Sequence, residues 1–315
     1  MAKEYGLVLH GGAGTLVKDE MTAEKERMYR SALLRALSAG EEVLKNNGDA
    51  LDAVIVTVKV LEQEPLFNAG VGAVMTHEGV HELDASLMEG KERKAAAVCA
   101  VRRIESPISL CRMVMDSEFV MLNGEGAEQF AKEQGVPVVS NSHFTTTLRK
   151  EQLEEAKKNN RVQLDHTDNR EKYGTVGAVA IDKNGTLAAA TSTGGMTNKR
   201  YGRIGDSALI GSGTWADNRN CAVSATGYGE FFIRSAVASR IASMMEYGGL
   251  SLADAGFKVI NHEVGDIGGD GGVISIDKDG NIACPFNSEG MYRAWVKEGT
   301  PLTTAIFTDD AVAHE

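Results

Sequence analysis

Two spacings of apolar residues divide this chain into predicted helices and predicted strands. Apolar residues recur at helical spacing over residues 22–47, and again from residue 49 or 51 to the residue before Pro65, as is typical of helices packed on a sheet. Further helices are predicted after the N-cap candidate Ser106 and over residues 117–132, 150–158, 230–246 and 251–262. Short apolar runs predict strands at residues 5–9, 79–88, 95–101, 208–211 and 221–224.

Two further stretches have the pattern of β-hairpins with nearly the same turn. Residues 174–195 contain two small apolar runs on either side of an Asp-Lys-Asn-Gly turn, and residues 271–283 contain two around Asp-Lys-Asp-Gly. Asn-Gly and Asp-Gly accept positive φ readily, and such turns join antiparallel strands. Because helices precede and follow these hairpins, the sequence predicts an α+β fold in which antiparallel sheets are covered by layers of helices.

The composition is ordinary for a globular protein and excludes some partners. The chain has 315 residues and a formal net charge of −11, which disfavours nucleic acid and gives no reason to expect binding to an anionic membrane surface. No apolar run has the length of a membrane span, and the N-terminus lacks the pattern of a signal peptide, so a cytoplasmic location is expected. Four widely separated cysteines form no zinc or redox motif; they are Cys99, Cys111, Cys221 and Cys284.

The dipeptide Gly174-Thr175 joins a polar segment to the first hairpin. Residues 139–173 are polar and charged, so we expect them to be loose and to contribute little to a core. If the bond between Gly174 and Thr175 breaks, Thr175 carries both a hydroxyl nucleophile and a free α-amine that can act as its base. This layout is typical of an N-terminal nucleophile hydrolase, although the same dipeptide also opens ordinary hairpins.

Other polar residues lie in glycine-rich loops at predicted strand ends. Thr193 would return beside Thr175 if the hairpin strands pair, where its hydroxyl could bond the nucleophile or belong to an ordinary strand. Arg203 and Asp206 could hold the carboxylate and the ammonium of a zwitterion, or pair with each other at the surface. The dipeptide Thr226-Gly227 precedes a predicted helix, which suits an oxyanion hole or a helix N-cap.

The glycine-rich segment at residues 10–14 follows the first predicted strand. It begins like a dinucleotide-binding fingerprint, but Val17 stands where the third glycine is needed and no helix is predicted to begin there. The glycines would let the backbone approach a ligand or the nucleophile, or would form a plain turn. Because the sequence contains no HExxH, no Cys/His cluster and no phosphate-loop motif, no catalytic transition metal is expected.

Eight short segments, spread over nearly the whole chain, together form a pattern that is specific for one protein family. They are His-Gly-Gly-Ala-Gly at 10–14, Pro-Leu-Phe-Asn-Ala-Gly at 65–70, His-Glu-Leu-Asp-Ala-Ser at 81–86, Gly-Thr-Val-Gly-Ala-Val-Ala at 174–180, Ala-Thr-Ser-Thr-Gly-Gly at 190–195, Gly-Arg-Ile-Gly-Asp at 202–206, Ala-Thr-Gly at 225–227 and Glu-Gly-Met-Tyr-Arg at 289–293. Together they resemble the plant-type asparaginase / isoaspartyl peptidase family of N-terminal nucleophile hydrolases.

The resemblance implies a four-layer αββα sandwich of two antiparallel sheets between helical layers. It implies one domain over residues 1–315 that cleaves itself between Gly174 and Thr175, giving an α chain of residues 1–174 and a β chain of residues 175–315. Thr175 would then be the nucleophile. The implied activity is the hydrolysis of β-aspartyl (isoaspartyl) dipeptides and L-asparagine through an acyl-enzyme.

The resemblance also assigns roles around the nucleophile. The implied catalytic residues are Thr175, Thr193, and Thr226 with Gly227, whose hydroxyl and N–H would form the oxyanion hole. Arg203 would bind the substrate α-carboxylate, and Asp206 with Gly229 would bind its α-amine. Loop support would come from Gly12 and Asn68.

The resemblance implies no cofactor for the chemistry, a structural sodium ion, and assembly as a dimer of αβ heterodimers. The sodium ion would be bound through main-chain carbonyls, which side chains do not reveal; the carbonyls are those of Leu61, Glu62, Glu64, Phe67, Ala69 and Val71. Three alternatives stay open: a glycoasparaginase-type hydrolase, a glycine-rich nucleotide- or phosphate-binding protein that never cleaves, and an unprocessed homologue without activity. The residues do not rank L-asparagine against β-aspartyl dipeptides.

Overall fold

The computed structural model describes residues 3–14, 18, 21–159, 174–308 and 310. Within these ranges the strands are β1 (Gly6–Gly14), β2 (Leu83–Glu89), β3 (Ala95–Val101), β4 (Met121–Asn123), β5 (Val176–Ile181), β6 (Leu187–Thr193), β7 (Thr214–Ala216), β8 (Cys221–Gly227), β9 (Gly271–Asp277), β10 (Ile282–Ala283), β11 (Gly290–Lys297) and β12 (Thr303–Phe307). The α-helices are α1 (Ala23–Lys45), α2 (Ala50–Glu62), α3 (Pro107–Met115), α4 (Gly124–Glu133), α5 (Thr147–Lys158), α6 (Gly229–Ser235), α7 (Val237–Glu246) and α8 (Leu252–Lys258).

The strands form two sheets. The larger sheet has the order β12-β11-β1-β5-β6-β2-β3-β4, and the smaller has the order β10-β9-β8-β7. Neighbouring strands are antiparallel except β3 and the short edge strand β4, which pair in parallel. The predicted hairpin is β5–β6, and it lies near the centre of the larger sheet.

Three apolar layers hold the sheets and helices together. Side chains alternate along β1, so that Leu7 and Leu9 join the core under the first helices while Val8 joins the core between the sheets. In the smaller sheet Val223 packs toward α6–α8, whereas its neighbour Ala222 faces the larger sheet. Helices therefore cover both outer faces of two stacked sheets, which confirms the predicted α+β αββα sandwich.

Local signals fix the starts of two helices as predicted. The Thr22 hydroxyl accepts a hydrogen bond from the Lys25 N–H at 3.2 Å, one of the N–H groups that the first turn of α1 leaves free. Ser106 caps α3 in the same way, and Pro107 occupies its first position, where the missing N–H costs nothing.

Several elements differ from the sequence prediction. Residues 117–132 are not one helix, because β4 precedes α4. Residues 208–211 are not a strand; a short 3₁₀-helix covers Asp206–Ala208 and the strand comes later, as β7. The helix predicted over 230–246 is split at Ala236, which has φ of 46°. Strands β11 and β12 had no predicted counterpart, and β11 pairs with β1 along its whole length.

The polar segment before the hairpin is more ordered than expected where the structure describes it. Over residues 139–159, a 3₁₀-helix (Asn141–Phe144) and α5 place Phe144, Leu153 and Ala156 in buried positions. The expectation of little core contribution is wrong there, because α5 is amphipathic enough to pack on the sandwich. Residues 160–173 lie outside the described residues. No described helix is both long enough and apolar enough to cross a bilayer.

Candidate active site

The two threonines of the first hairpin meet at one end of the larger sheet. Thr175 directly precedes β5, and Thr193 ends β6, which pairs antiparallel with β5. The Thr175 hydroxyl donates a hydrogen bond to the Thr193 hydroxyl at 3.1 Å, and it also lies 3.3 Å from the Ser207 hydroxyl. The proximity of Thr193 to Thr175 that the hairpin pattern predicted is therefore present.

A narrow polar cleft opens at this point. Its lining comes from the loop before β2, the junction before β5, the end of β6, the loop after β6 and the end of β8. The lining residues are Asn68, Gly174, Thr175, Thr193, Gly195, Met196, Arg203, Gly205, Asp206, Ser207 and Gly227.

The segment at residues 10–14 brings the backbone of β1 against the Gly174–Thr175 junction. These residues belong to β1, which has a register shift between His10 and Gly12, so the plain glycine turn is wrong. Gly12 has φ of 114°, and an ideal Cβ there would lie 2.5 Å from the Gly174 nitrogen. Only glycine allows this conformation and this close approach.

Thr226 in β8 lies on the other side of the same junction. Its hydroxyl accepts a hydrogen bond from the Ala13 N–H at 3.3 Å. An ideal Cβ on Gly174 would lie 3.0 Å from that hydroxyl oxygen. The structure therefore places Thr226 and the following Gly227 at the bond that the sequence predicts to be cut, with α6 beginning two residues after Gly227.

Asn68 holds the loop that follows Thr193. Its side-chain carbonyl accepts from the Val74 N–H at 2.9 Å, and its amide donates to the Gly195 carbonyl at 2.8 Å. Its own backbone carbonyl accepts from the Gly194 N–H at 3.0 Å. Asn68 thus fixes the backbone of the two glycines next to Thr193.

Arg203 and Asp206 both reach the cleft but do not form the surface pair considered from the sequence. Arg203 instead forms an ion pair with Glu230, with Nη2 2.7 Å from a carboxylate oxygen. Asp206 is buried, and its Oδ2 has no hydrogen-bond partner among the described residues. Burial raises the pKa of Asp206 to about 7, against the opposing charge of Arg203. A Cβ at Gly229 would lie 2.8 Å from Arg203 Nη2 and 2.9 Å from Asp206 Oδ1, so a side chain there would displace both groups.

The comparisons with known proteins agree over nearly the full chain. The family model described as Asparaginase matches residues 3–306. This chain belongs to the asparaginase family. It is 50% identical to the isoaspartyl peptidase of Salmonella typhimurium, over 96% of this chain and 98% of the relative. It is 41% identical to the isoaspartyl peptidase/L-asparaginase of Bos taurus, over 97% of each chain.

In this member of the asparaginase family, a buried hydrogen-bonded chain that the sequence did not predict begins at His10, next to the Thr175 backbone. Burial lowers the pKa of His10 to about 3, so the ring is neutral. From its Nε2, hydrogen bonds of 3.0 Å or less link side chains of both sheets and end on the backbone carbonyl of Ser207. The linked hydroxyls belong, in order, to Ser224, Thr191, Thr214 and Ser86. The signal was present as Ser and Thr on strand faces, but only the stacking of the sheets joins them.

Ser207 and Glu230 were also missed. The Ser207 hydroxyl lies 3.3 Å from the Thr175 hydroxyl, and Glu230 forms an ion pair with Arg203. Each stands next to a residue that was singled out, namely Asp206 and Gly229. Their position next to a candidate site residue was the signal in the sequence. A serine or a glutamate beside a glycine-rich loop is too common, however, to predict a functional role.

The loop after α2 contains two glycines that lie close to backbone carbonyls. Gly70 and Gly72 have positive φ, and ideal Cβ atoms on them would lie 2.2 Å from the Glu62 carbonyl and 2.5 Å from the Pro65 carbonyl. Only glycine fits at these two positions, where backbone carbonyls approach closely. The Glu62 carbonyl already accepts from the Val71 N–H at 2.7 Å, yet a carbonyl has a second lone pair. Backbone carbonyls are ligands of the type that a hard cation such as sodium takes.

Proposed function

We propose that this chain cleaves itself between Gly174 and Thr175 and then hydrolyses β-aspartyl dipeptides and L-asparagine through Thr175. The observation that supports this most directly is the 3.1 Å hydrogen bond from Thr175 to Thr193 at the junction. The same cleft contains Arg203 and Asp206, a cation and an anion suited to an amino acid's α-carboxylate and α-ammonium. The names of the relatives, isoaspartyl peptidase and L-asparaginase, provide the two substrate classes.

The reaction starts from the free α-amine that cleavage creates on Thr175. This amine takes the hydroxyl proton, and the Thr175 oxygen attacks the side-chain carbonyl carbon of the aspartyl substrate. The Thr226 hydroxyl and the Gly227 N–H donate hydrogen bonds to the resulting oxyanion. The amine passes its proton to the leaving amine or ammonia, the C–N bond breaks, and an ester on Thr175 remains. Water then hydrolyses the ester, releasing aspartate and restoring the hydroxyl.

Arg203 and Asp206 orient the substrate for this attack. Arg203 uses Nε and Nη2 for Glu230, so Nη1, which lies close to Gly195 and Gly205, is left to bind the substrate α-carboxylate. The unpaired Oδ2 of Asp206 accepts from the substrate α-ammonium, with the backbone of Gly229 beside it. Substrate binding thus supplies the partner that this buried carboxylate lacks.

We also propose a bound sodium ion, an assembly of two αβ units and a cytoplasmic location. A sodium ion binds to main-chain carbonyls of the loop over residues 61–71 and rigidifies the segment that contains Asn68; it takes no part in the chemistry. Two αβ units associate, and the protein works in the cytoplasm, where its four free cysteines stay reduced.

Intact-mass measurement of the purified protein tests the proposal. The wild type is expected to give two species, residues 1–174 and 175–315, and to release aspartate from both L-asparagine and a β-aspartyl dipeptide. Thr175→Ala is expected to remain one chain without activity. Arg203→Ala should still cleave, while its KM for L-asparagine rises at least about tenfold, the size of a lost charge-assisted hydrogen bond.

Two outcomes would contradict the proposal. A wild-type chain that stays whole after prolonged incubation would exclude an N-terminal nucleophile, and an Arg203→Ala variant with unchanged KM would remove Arg203 from the carboxylate site.

A further inference from the structure

Lys199 is buried beside the cleft, although no step of the proposed reaction uses it. Its side chain is 1% exposed, and lysines are almost never buried to this extent unless they are paired. Lys199 belongs to the loop between β6 and the 3₁₀-helix at Asp206–Ala208, the same loop that contains Arg203. We therefore expect groups within the site to neutralise the charge of Lys199.

Two carboxylates from the segment at the start of β2 face the Lys199 ammonium. Nζ lies 3.8 Å from Oε2 of Glu82 and 3.8 Å from Oδ2 of Asp84, and it donates to the Glu82 backbone carbonyl at 3.2 Å. Glu82 has a second cation, Arg102, at 2.8 Å. Asp84 accepts from the Ala100 N–H through Oδ1, but its buried Oδ2 has no hydrogen-bond partner among the described residues. Asp84 thus depends on nearby positive charge.

Asp84 and Lys199 both adjoin the residues that line the cleft. In the β2–β6 ladder, Asp84 stands directly opposite Thr193. An ideal Cβ on Gly195 would lie 3.1 Å from Lys199 Nζ and 3.6 Å from Arg203 Nη1, so both cations are next to the same glycine. Burial raises the pKa of Asp84, and the charges of Lys199 and Arg203 oppose this rise. The carboxylate therefore attracts both cations.

We propose that Lys199 is a positioning residue that neutralises Asp84 and thereby keeps the Arg203 guanidinium in the cleft. Without the ammonium, Asp84 would be a buried carboxylate with an unpaired oxygen, which is costly. Arg203 is a second cation close by, because its Nη1 and Lys199 Nζ both lie next to Gly195, so its guanidinium would be drawn toward Asp84 and away from the substrate. This inference rests on the proposed role of Arg203 as the binder of the α-carboxylate.

Kinetics of two variants test the inference. Lys199→Met removes the charge and keeps most of the side-chain volume. Its KM for L-asparagine should rise at least about tenfold, as for loss of a charge-assisted contact, while kcat changes less than KM. The double variant Lys199→Met/Asp84→Asn should recover most of that KM increase, because the neutral amide oxygen can still accept from the Ala100 N–H but no longer attracts Arg203. Lys278→Met, at a half-exposed surface lysine, is the matched control.

The outcomes separate positioning from a merely structural role. If Lys199→Met lowers kcat as much as it raises KM, and Asp84→Asn does not restore KM, Lys199 only supports the fold and the inference is wrong. If Lys199→Met does not fold, the test uses the double variant Lys199→Met/Asp84→Asn and the single variant Asp84→Asn. A KM for L-asparagine in either variant that is as high as the KM of Arg203→Ala would overturn the inference. Wild-type protein that hydrolyses neither substrate would instead contradict the proposed function.

Discussion

Gly12 lies against the backbone of Gly174, so closely that an ideal Cβ on Gly12 would be 2.5 Å from the Gly174 nitrogen and 2.7 Å from its Cα. The two residues are far apart in sequence, yet β1 and the junction before β5 leave no room between them. The Gly174–Thr175 junction can therefore lie against β1 only because residue 12 has no side chain.

We predict that Gly12→Ala slows self-cleavage at least about tenfold, because the added methyl displaces the junction and residue 12 has positive φ, which alone costs about 1–2 kcal/mol. Intact mass followed over time measures the uncleaved fraction. Gly280→Ala is the control, since Gly280 has φ of 80° with nothing within 4 Å of its ideal Cβ. Cleavage of Gly12→Ala at the wild-type rate would show that the contact is not required.

Thr193→Val should lower kcat at least about tenfold, since a positioned proton-transfer or hydrogen-bond partner contributes at least this much. Valine has the same shape but removes the hydroxyl that accepts from Thr175 and from the Gly195 N–H. Steady-state kinetics on the cleaved protein measure the loss. Thr57→Val is the control, because the Thr57 hydroxyl bonds only within α2; an equal loss there would point to general destabilisation.

The pH dependence of kcat/KM should report Asp206. Burial raises the pKa of Asp206 to about 7, and only the ionised carboxylate accepts from a substrate ammonium, so activity should rise with pH through this range. The Thr175 α-amine must also be deprotonated, with an ordinary pKa of about 8, so log(kcat/KM) should rise more steeply below pH 7 than for one group. In Asp206→Asn, log(kcat/KM) should rise with pH with the slope expected for one titrating group. A slope equal to that of the wild type would show that Asp206 does not titrate in this range.

Glu62 should make the protein less stable as the pH rises toward neutrality. Burial raises its pKa from 4.5 to about 7, although hydrogen bonds from Ser106, Ser192 and the Ile108 N–H oppose the rise. The folded state then binds more protons than the unfolded state, so the stability from Glu62 is complete below about pH 4.5 and is lost as pH rises through about 7.

Glu62→Gln should therefore flatten the pH dependence of the free energy of unfolding by about 1–3 kcal/mol between pH 5 and 7.5. Urea unfolding in the Thr175→Ala background, where the chain is expected to stay whole, measures this. The exposed Glu118→Gln is the control; a profile for Glu62→Gln as steep as that of the parent would contradict the assignment.

Features set by neighbouring residues were the ones that the sequence predicted well. The β5–β6 hairpin follows from two apolar runs and an Asn-Gly turn, and it alone places Thr193 beside Thr175. The start of α1 follows from Thr22 and its first-turn acids. In contrast, β11 forms because β1 provides a partner some 280 residues away. The local sequence pattern does not predict that pairing.

The sequence by itself predicted the layered α+β fold, the hairpin that brings Thr193 beside Thr175 and several of the residues that line the cleft, because periodicity, turn chemistry and motif spacing are properties of short segments. The tertiary structure decided which charged groups face each other. Arg203 pairs with Glu230 rather than with Asp206, and Lys199 faces Asp84. Among the described residues, one carboxylate oxygen of Asp206 has no hydrogen-bond partner. These relationships depend on burial and on distances between segments that the chain brings together only when the sheets stack, so they are absent from any local pattern.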